Sequence, residues 1–231
     1  MKIAGILKTS LIDFPGNIST VIFTGGCNLR CRYCYNIDLI ESNPRNDVLS
    51  EKELFEFLEK RKNLLDGITV SGGEPCLQKD ITEFIGRLRP FNLKIKIDTN
   101  GFFPEKLGEL LEKQLIDYAA VDIKTSPSKY NELTAVNCDI SKLKKSLELL
   151  KTSGIEFELR TTAVPGFVSH DDFREIGNFT GKVKNYYIQQ FVNENTLDPE
   201  FEKKYSLSSE ILKSFCGTIS EFAENVAIRG L

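Results

Sequence analysis

The chain has 231 residues, 41% hydrophobic and 27% charged, which is apolar material for a substantial core in one domain, or at most two. A formal net charge of -3 supplies no broad basic footprint and disfavours a nucleic-acid role, and no apolar stretch approaches membrane-spanning length. The opening Met1-Lys2-Ile3-Ala4-Gly5-Ile6-Leu7-Lys8-Thr9-Ser10 lacks the apolar run of a secretory signal, and six cysteines, half clustered and half scattered, do not make a secreted disulfide framework, so a cytoplasmic protein is expected.

In chain order, Thr20-Val21-Ile22-Phe23-Thr24 predicts a strand over 19–24, and behind it comes Cys27-Asn28-Leu29-Arg30-Cys31-Arg32-Tyr33-Cys34, three thiols in one short loop. Ser50 and Glu53 read as a capping box, after which Leu54, Phe57, Leu58, Leu64 and Leu65 recur near helical spacing until Gly67 stops them. A strand over 67–71 delivers Ser71-Gly72-Gly73-Glu74-Pro75, a helix over 79–89 turns Ile81, Phe84, Ile85 and Leu88 inward, and a strand over 94–98 leads into Asp98-Thr99-Asn100-Gly101. The alternation continues with helix 104–115, strand 118–123 carrying Asp122-Ile123-Lys124, helix 140–152, strand 155–161 followed by Arg160-Thr161-Thr162, helix 171–179 and strand 185–191 with Gln189-Gln190. A closing helix and strand fall within 205–231, the helix read over 208–224.

Repeated strand-then-helix units imply parallel strands joined by right-handed crossovers, and about six of them predict an α/β sheet, open or curled into a partial (β/α)6 barrel. Ligands of such sheets bind at the carboxyl ends of the strands, so six polar clusters are expected to converge on one face.

Three soft thiolates at this spacing suit an iron–sulfur cluster or zinc. No fourth cysteine lies close by, and a cubane held by three protein thiolates keeps one iron open for an outside ligand. Under the zinc alternative, a binding module without catalysis, Cys76 would be the distant fourth ligand, although zinc ligands more often come as paired short spacings. Gly72-Gly73 reads either as a plain turn or as a place where backbone approaches a ligand closely. Asp98 is a candidate ribose or cation ligand, and Asn100-Gly101 is a turn signal. Asp122 and Lys124 share one face of a strand, which favours a mutual ion pair, and Arg160 suits either a neighbouring acid or a ligand carboxylate. Alternation allows one of Gln189 and Gln190 to face inward without saying which; Gln190 is carried as the candidate. His170 reads as a loop or capping residue, and Cys76, Cys138 and Cys216 as buried free thiols.

The Cys27-x-x-x-Cys31-x-x-Cys34 spacing with aromatic Tyr33, followed by Gly72-Gly73-Glu74-Pro75, resembles the radical S-adenosylmethionine (SAM) superfamily. Asp98-Thr99-Asn100-Gly101 and Asp122-Ile123-Lys124 resemble its glycyl-radical-enzyme activase branch, and Ser10-Leu11-Ile12-Asp13-Phe14-Pro15-Gly16 is similar to the opening of anaerobic ribonucleoside-triphosphate reductase activating proteins. The likeness runs from about residue 3 to about 191.

The resemblance implies one radical SAM domain over 1–231, core about 15–191, with Cys27, Cys31 and Cys34 holding a single [4Fe-4S] cluster whose fourth iron takes the amino and carboxylate groups of SAM. Some activases carry an insertion with further cysteine clusters, and none follows Cys34 here. Electron transfer from the cluster would cleave the sulfonium to methionine and a 5′-deoxyadenosyl radical, with a flavodoxin or ferredoxin as donor. The implied cofactor-binding residues are Tyr33, Gly72, Gly73, Glu74, Asp98, Thr99, Asp122, Lys124, Arg160 and Gln190. Among them Glu74 would accept from the SAM amino group, Asp122 would bind SAM or a monovalent cation, and Lys124 would pair with the methionine carboxylate. The expected partner is a glycyl radical enzyme, anaerobic ribonucleotide reductase first, with pyruvate formate-lyase or a small-molecule substrate as alternatives.

Overall fold

A computed structural model describes residues 1, 3–40 and 50–230. Eight strands among these residues form one sheet in sequence order: β1 (Ile3–Ser10), β2 (Ser19–Thr24), β3 (Gly67–Gly72), β4 (Lys94–Thr99), β5 (Tyr118–Asp122), β6 (Glu156–Thr162), β7 (Val183–Gln189) and β8 (Ala223–Arg229). β2 through β8 run parallel, and β1 pairs antiparallel with β2. The six strands predicted between 19 and 191 are the central ones, β8 is the closing strand expected within 205–231, and β1 is added at the other edge of the expected partial barrel. β1 escapes a reading by periodicity because its middle residues stay half exposed and its pairing with β2 is irregular at two places.

The crossovers carry α1 (Ile37–Ile40), α2 (Glu51–Arg61), α3 (Ile81–Leu88), α4 (Pro104–Glu112), α5 (Tyr130–Thr134), α6 (Ile140–Ser153), α7 (His170–Thr180) and α8 (Ser209–Ile219). Ser50 and Glu53 form the anticipated capping box at the start of α2. The helix read over 208–224 ends at Ile219; the chain turns, and Ala223–Arg229 leaves as a strand, because Phe222 is needed as core cover rather than as a helix residue. Val70, Ile97, Val121, Leu159 and Ile188 face the helices and are buried against Leu54, Phe84, Leu110, Leu147, Ile176 and Phe215. The opposite face, reached by alternation, carries Lys96, Asp98, Tyr118, Glu158 and Arg160, a polar interior in place of the branched apolar filling of closed barrels. Register aligns Thr24 with Gly72, Asp122 with Arg160 and Thr162 with Gln189, so the polar strand ends stand side by side.

Candidate active site

The three-thiol loop leaves β2 through Gly25-Gly26 and is pinned along its length. Gly26 and Cys27 donate to the carbonyls of Leu39 and Ile40, Arg30 and Arg32 donate to Thr134 and Leu133 at the end of α5, and Cys34 closes a turn onto Cys31. The β3 loop packs directly on it: Gly73 donates to Thr24 and Glu74 to Gly26. A Cβ on Gly73 would overlap the Gly26 carbonyl, and one on Gly72, at φ +118°, would overlap Thr24. Both glycines are therefore required by chain-on-chain approach.

Cys27, Cys31 and Cys34 open onto one cavity of about 230 Å³, with Tyr33, Gly72, Gly73, Asp98, Thr99, Asp122, Lys124 and Arg160 also in its wall. All three thiols are free, and no group of three His, Cys, Asp or Glu among the described residues could hold a metal ion as one set. Three soft thiols in one cavity, with no fourth cysteine in its wall among the described residues, are the donor set of a cluster that keeps one iron open rather than of a closed four-donor zinc site. Cys76, the zinc alternative's fourth ligand, is buried away from that wall. Burial pushes the Cys31 thiol up to about 12 and raises Cys27 and Cys34 as well, with Lys124 pulling the other way. Metal must supply the positive charge that makes all three thiolates.

Opposite the thiols lies an ion network. Asp122 accepts from Arg160 Nε at 2.8 Å and Lys124 Nζ at 3.0 Å, the strand-face pair expected from spacing. Asp98 accepts from Ser71 Oγ at 3.0 Å, faces Arg160 Nη1 at 3.4 Å, and pairs with the buried Lys96. Burial alone would raise both carboxyls; Arg160 with Lys124 holds Asp122 well below the usual range, and Arg160 with Lys96 lowers Asp98. Deeper in, Glu158 takes two bonds from Arg229 and one from Tyr118. Lys96, Lys124 and Arg160 thus face Asp98 and Asp122, Glu158 and Arg229 cancel, and Lys124 and Arg160 are the cations that reach the cavity wall, with Asp13 a third acid in it. These two cations suit an anionic ligand group.

Two expected residues stand elsewhere. Glu74 is fully buried outside the cavity wall, its carboxylate accepting from Cys76 N at 2.9 Å, Thr99 Oγ1 at 2.7 Å and Asn100 N at 2.7 Å. It ties the β3 loop to the β4 loop, while burial raises its pKa and these donors oppose the rise. Gln189, the last residue of β7, lines the cavity; Gln190 lies past the strand end, donates to Leu207 O at 3.0 Å and lines an adjoining space of about 410 Å³. Tyr35 and Asn36 join the first cavity without having been singled out, and so does Asp13, which the sequence presents only as part of the Ser10–Gly16 motif and not as a site residue. The Cys34-Tyr35-Asn36 continuity was the available signal for two of them, and the Ser10–Gly16 motif for Asp13, whose loop is placed by β1 pairing.

Residues 21–180 match the family model described as the radical SAM superfamily. A protein of Methanocaldococcus jannaschii named as a candidate glycyl-radical enzyme activating enzyme is 34% identical over 98% of this chain and 95% of its own length. The pyruvate formate-lyase-activating enzyme of Clostridium pasteurianum is 27% identical over 91% of this chain and 89% of its own. In fold, the chain is similar to Streptococcus suis SuiB bound to S-adenosylmethionine, with a TM-score of 0.70 at 18% identity, covering 91% of this chain and 50% of that one. No helix among the described residues is long and apolar enough to cross a membrane.

Proposed function

The chain belongs to the radical SAM superfamily, a membership that implies a [4Fe-4S] cluster and SAM, and from this premise we propose that it installs a glycyl radical on a partner enzyme, the anaerobic ribonucleoside-triphosphate reductase. The observation that carries the reading is the single cavity shared by three free thiols and by the cations Lys124 and Arg160. Cys27, Cys31 and Cys34 would hold the cluster, which when bound supplies the electron that splits the SAM sulfonium and so the 5′-deoxyadenosyl radical. Lys124 and Arg160, steadied by Asp122 and Asp98, orient the methionine carboxylate. Gly72 and Gly73 present backbone to the SAM amino group, and Glu74 holds that backbone in place through Thr99 and Asn100. Tyr33, Thr162 and Gln189 complete the cavity wall and would be available to the adenosine of bound SAM. A monovalent cation at Asp122 would share its carboxylate with Lys124 and Arg160.

A macromolecular substrate is supported by the cavity's rim. Leu11 and Ile12 are 72% and 81% exposed beside Asp13, and Tyr35 and Val192 are exposed where the two cavities meet, an apolar margin that a small molecule would not need. A flavodoxin or ferredoxin supplies the electron. The name of the clostridial relative favours pyruvate formate-lyase as the second reading. Anaerobically reconstituted protein, reduced and given SAM, is expected to release 5′-deoxyadenosine and to raise a glycyl radical signal by electron paramagnetic resonance on mixing with the reductase. A signal with pyruvate formate-lyase alone would transfer the assignment to that partner, and no 5′-deoxyadenosine at all would end the enzyme reading.

A further inference from the structure

The chain leaving β7 does not run straight to α8. It passes Phe191 and Thr196, both buried, and then lies across the outside of the three-thiol loop. There Leu197 N donates to Cys34 O and Asp198 N donates to Arg32 O, each at 2.9 Å. The side chains repeat the union: Arg32 Nε and Nη2 both reach Asp198 Oδ2 at 2.7 Å. The Arg32 guanidinium also lies 5.0 Å from the ring of Phe201, which is 1% exposed and stacked on Phe167. Asp198 Oδ1 meanwhile accepts from Glu200 N at 3.0 Å, which fixes the carboxylate's angle.

Arg32 lies between the second and third thiols, outside the cavity wall, where no step of the chemistry above uses its charge. Its side chain and that of Asp198 are 35% and 25% exposed, so a pair of this kind adds little to global stability. What it does is geometric. With Arg32 N bound to Leu133 O on one side and Arg32 O bound to Asp198 N on the other, the Cys31–Cys34 turn is clamped between α5 and a segment 166 residues away in sequence. We infer that the 197–201 segment is a brace for cluster retention, and that Asp198 and Arg32 are positioning residues that hold Cys31 and Cys34 in ligating geometry.

This rests on the assignment of the three thiols as cluster ligands, so the unmutated protein is read first: failure to take up iron and sulfide there overturns that assignment and the brace with it. With cluster in place, its visible absorbance is followed under excess EDTA without oxygen. Asp198→Asn, which keeps the backbone donor and the bond from Glu200, is expected to lose cluster about tenfold faster than the unmutated protein, the size typical of groups that orient metal ligands. Asp198→Glu should restore most of the difference, and Glu156→Gln, at an exposed pair with Lys184, should change nothing. The cluster-free forms should share one thermal midpoint. Loss from Asp198→Asn at the unmutated rate overturns the brace. If that variant also lowers the cluster-free midpoint, Arg32→Gln decides, since it leaves Asp198 bound to Glu200; cluster loss there at the unmutated rate overturns the inference, and tenfold faster loss at an unchanged midpoint sustains it.

Discussion

Glu74→Gln isolates what the buried carboxylate does. Its two oxygens serve three donors: Oε1 takes Cys76 N and Thr99 Oγ1, and Oε2 takes Asn100 N. In the amide, one oxygen still serves Cys76 and Thr99, but the new NH2 group meets the Asn100 N–H donor to donor. A hydrogen bond to a charged acceptor contributes roughly 1.5–3 kcal/mol, and the orphaned Asn100 N–H adds a desolvation cost of similar order. Against this, removing a carboxylate whose pKa burial has already raised recovers part of the cost of keeping charge out of water. The net expectation is a loss of about 2 kcal/mol, or about 4–8 °C in Tm for a chain of this size. Urea and thermal unfolding of the cluster-free protein measure it. A change below about 0.5 kcal/mol, the scatter of neutral surface substitutions, would refute the view of Glu74 as the tie between the β3 and β4 loops.

Cys31→Ala should abolish iron uptake and SAM cleavage together, whereas Cys138→Ala, outside the cavity, should leave both intact; iron analysis and 5′-deoxyadenosine release check the pair. Gly73→Ala forces a methyl group into the Gly26 carbonyl, so the β3 loop must move off the thiol loop, and a loss of about 1–3 kcal/mol in urea unfolding is expected. Asp122 has a folded pKa below its unfolded value, so the native state binds fewer protons than the unfolded one, and the stability it contributes is present above about pH 4 and lost as pH falls. Asp122→Asn should therefore cost about 3 kcal/mol at neutral pH through the stranded Lys124 and Arg160, with the gap to the unmutated protein narrowing on acidification; a gap constant from neutral pH to about pH 3 would contradict the ion network.

The strand-helix alternation, the capping box at Ser50 and the thiol spacing are local properties: they depend on side-chain periodicity and composition within a few residues, and the chain carries them whatever its distant parts do. The convergence of polar strand ends was legible for the same reason, since parallel crossovers leave one edge for all of them. Tertiary structure decided what depends on register between segments far apart. It turned Gln189 rather than Gln190 into the cavity, gave Glu74 its three donors from the β3 and β4 loops, set Arg160 between Asp98 and Asp122, and recruited Asp13 from the loop after β1. β1 belongs to the same class, because an edge strand is stabilised by the neighbour it pairs with more than by its own pattern. Arg32 and Asp198 show the division most plainly: nothing near either residue announces the other, and only the path of the chain beyond β7 brings them within a hydrogen bond.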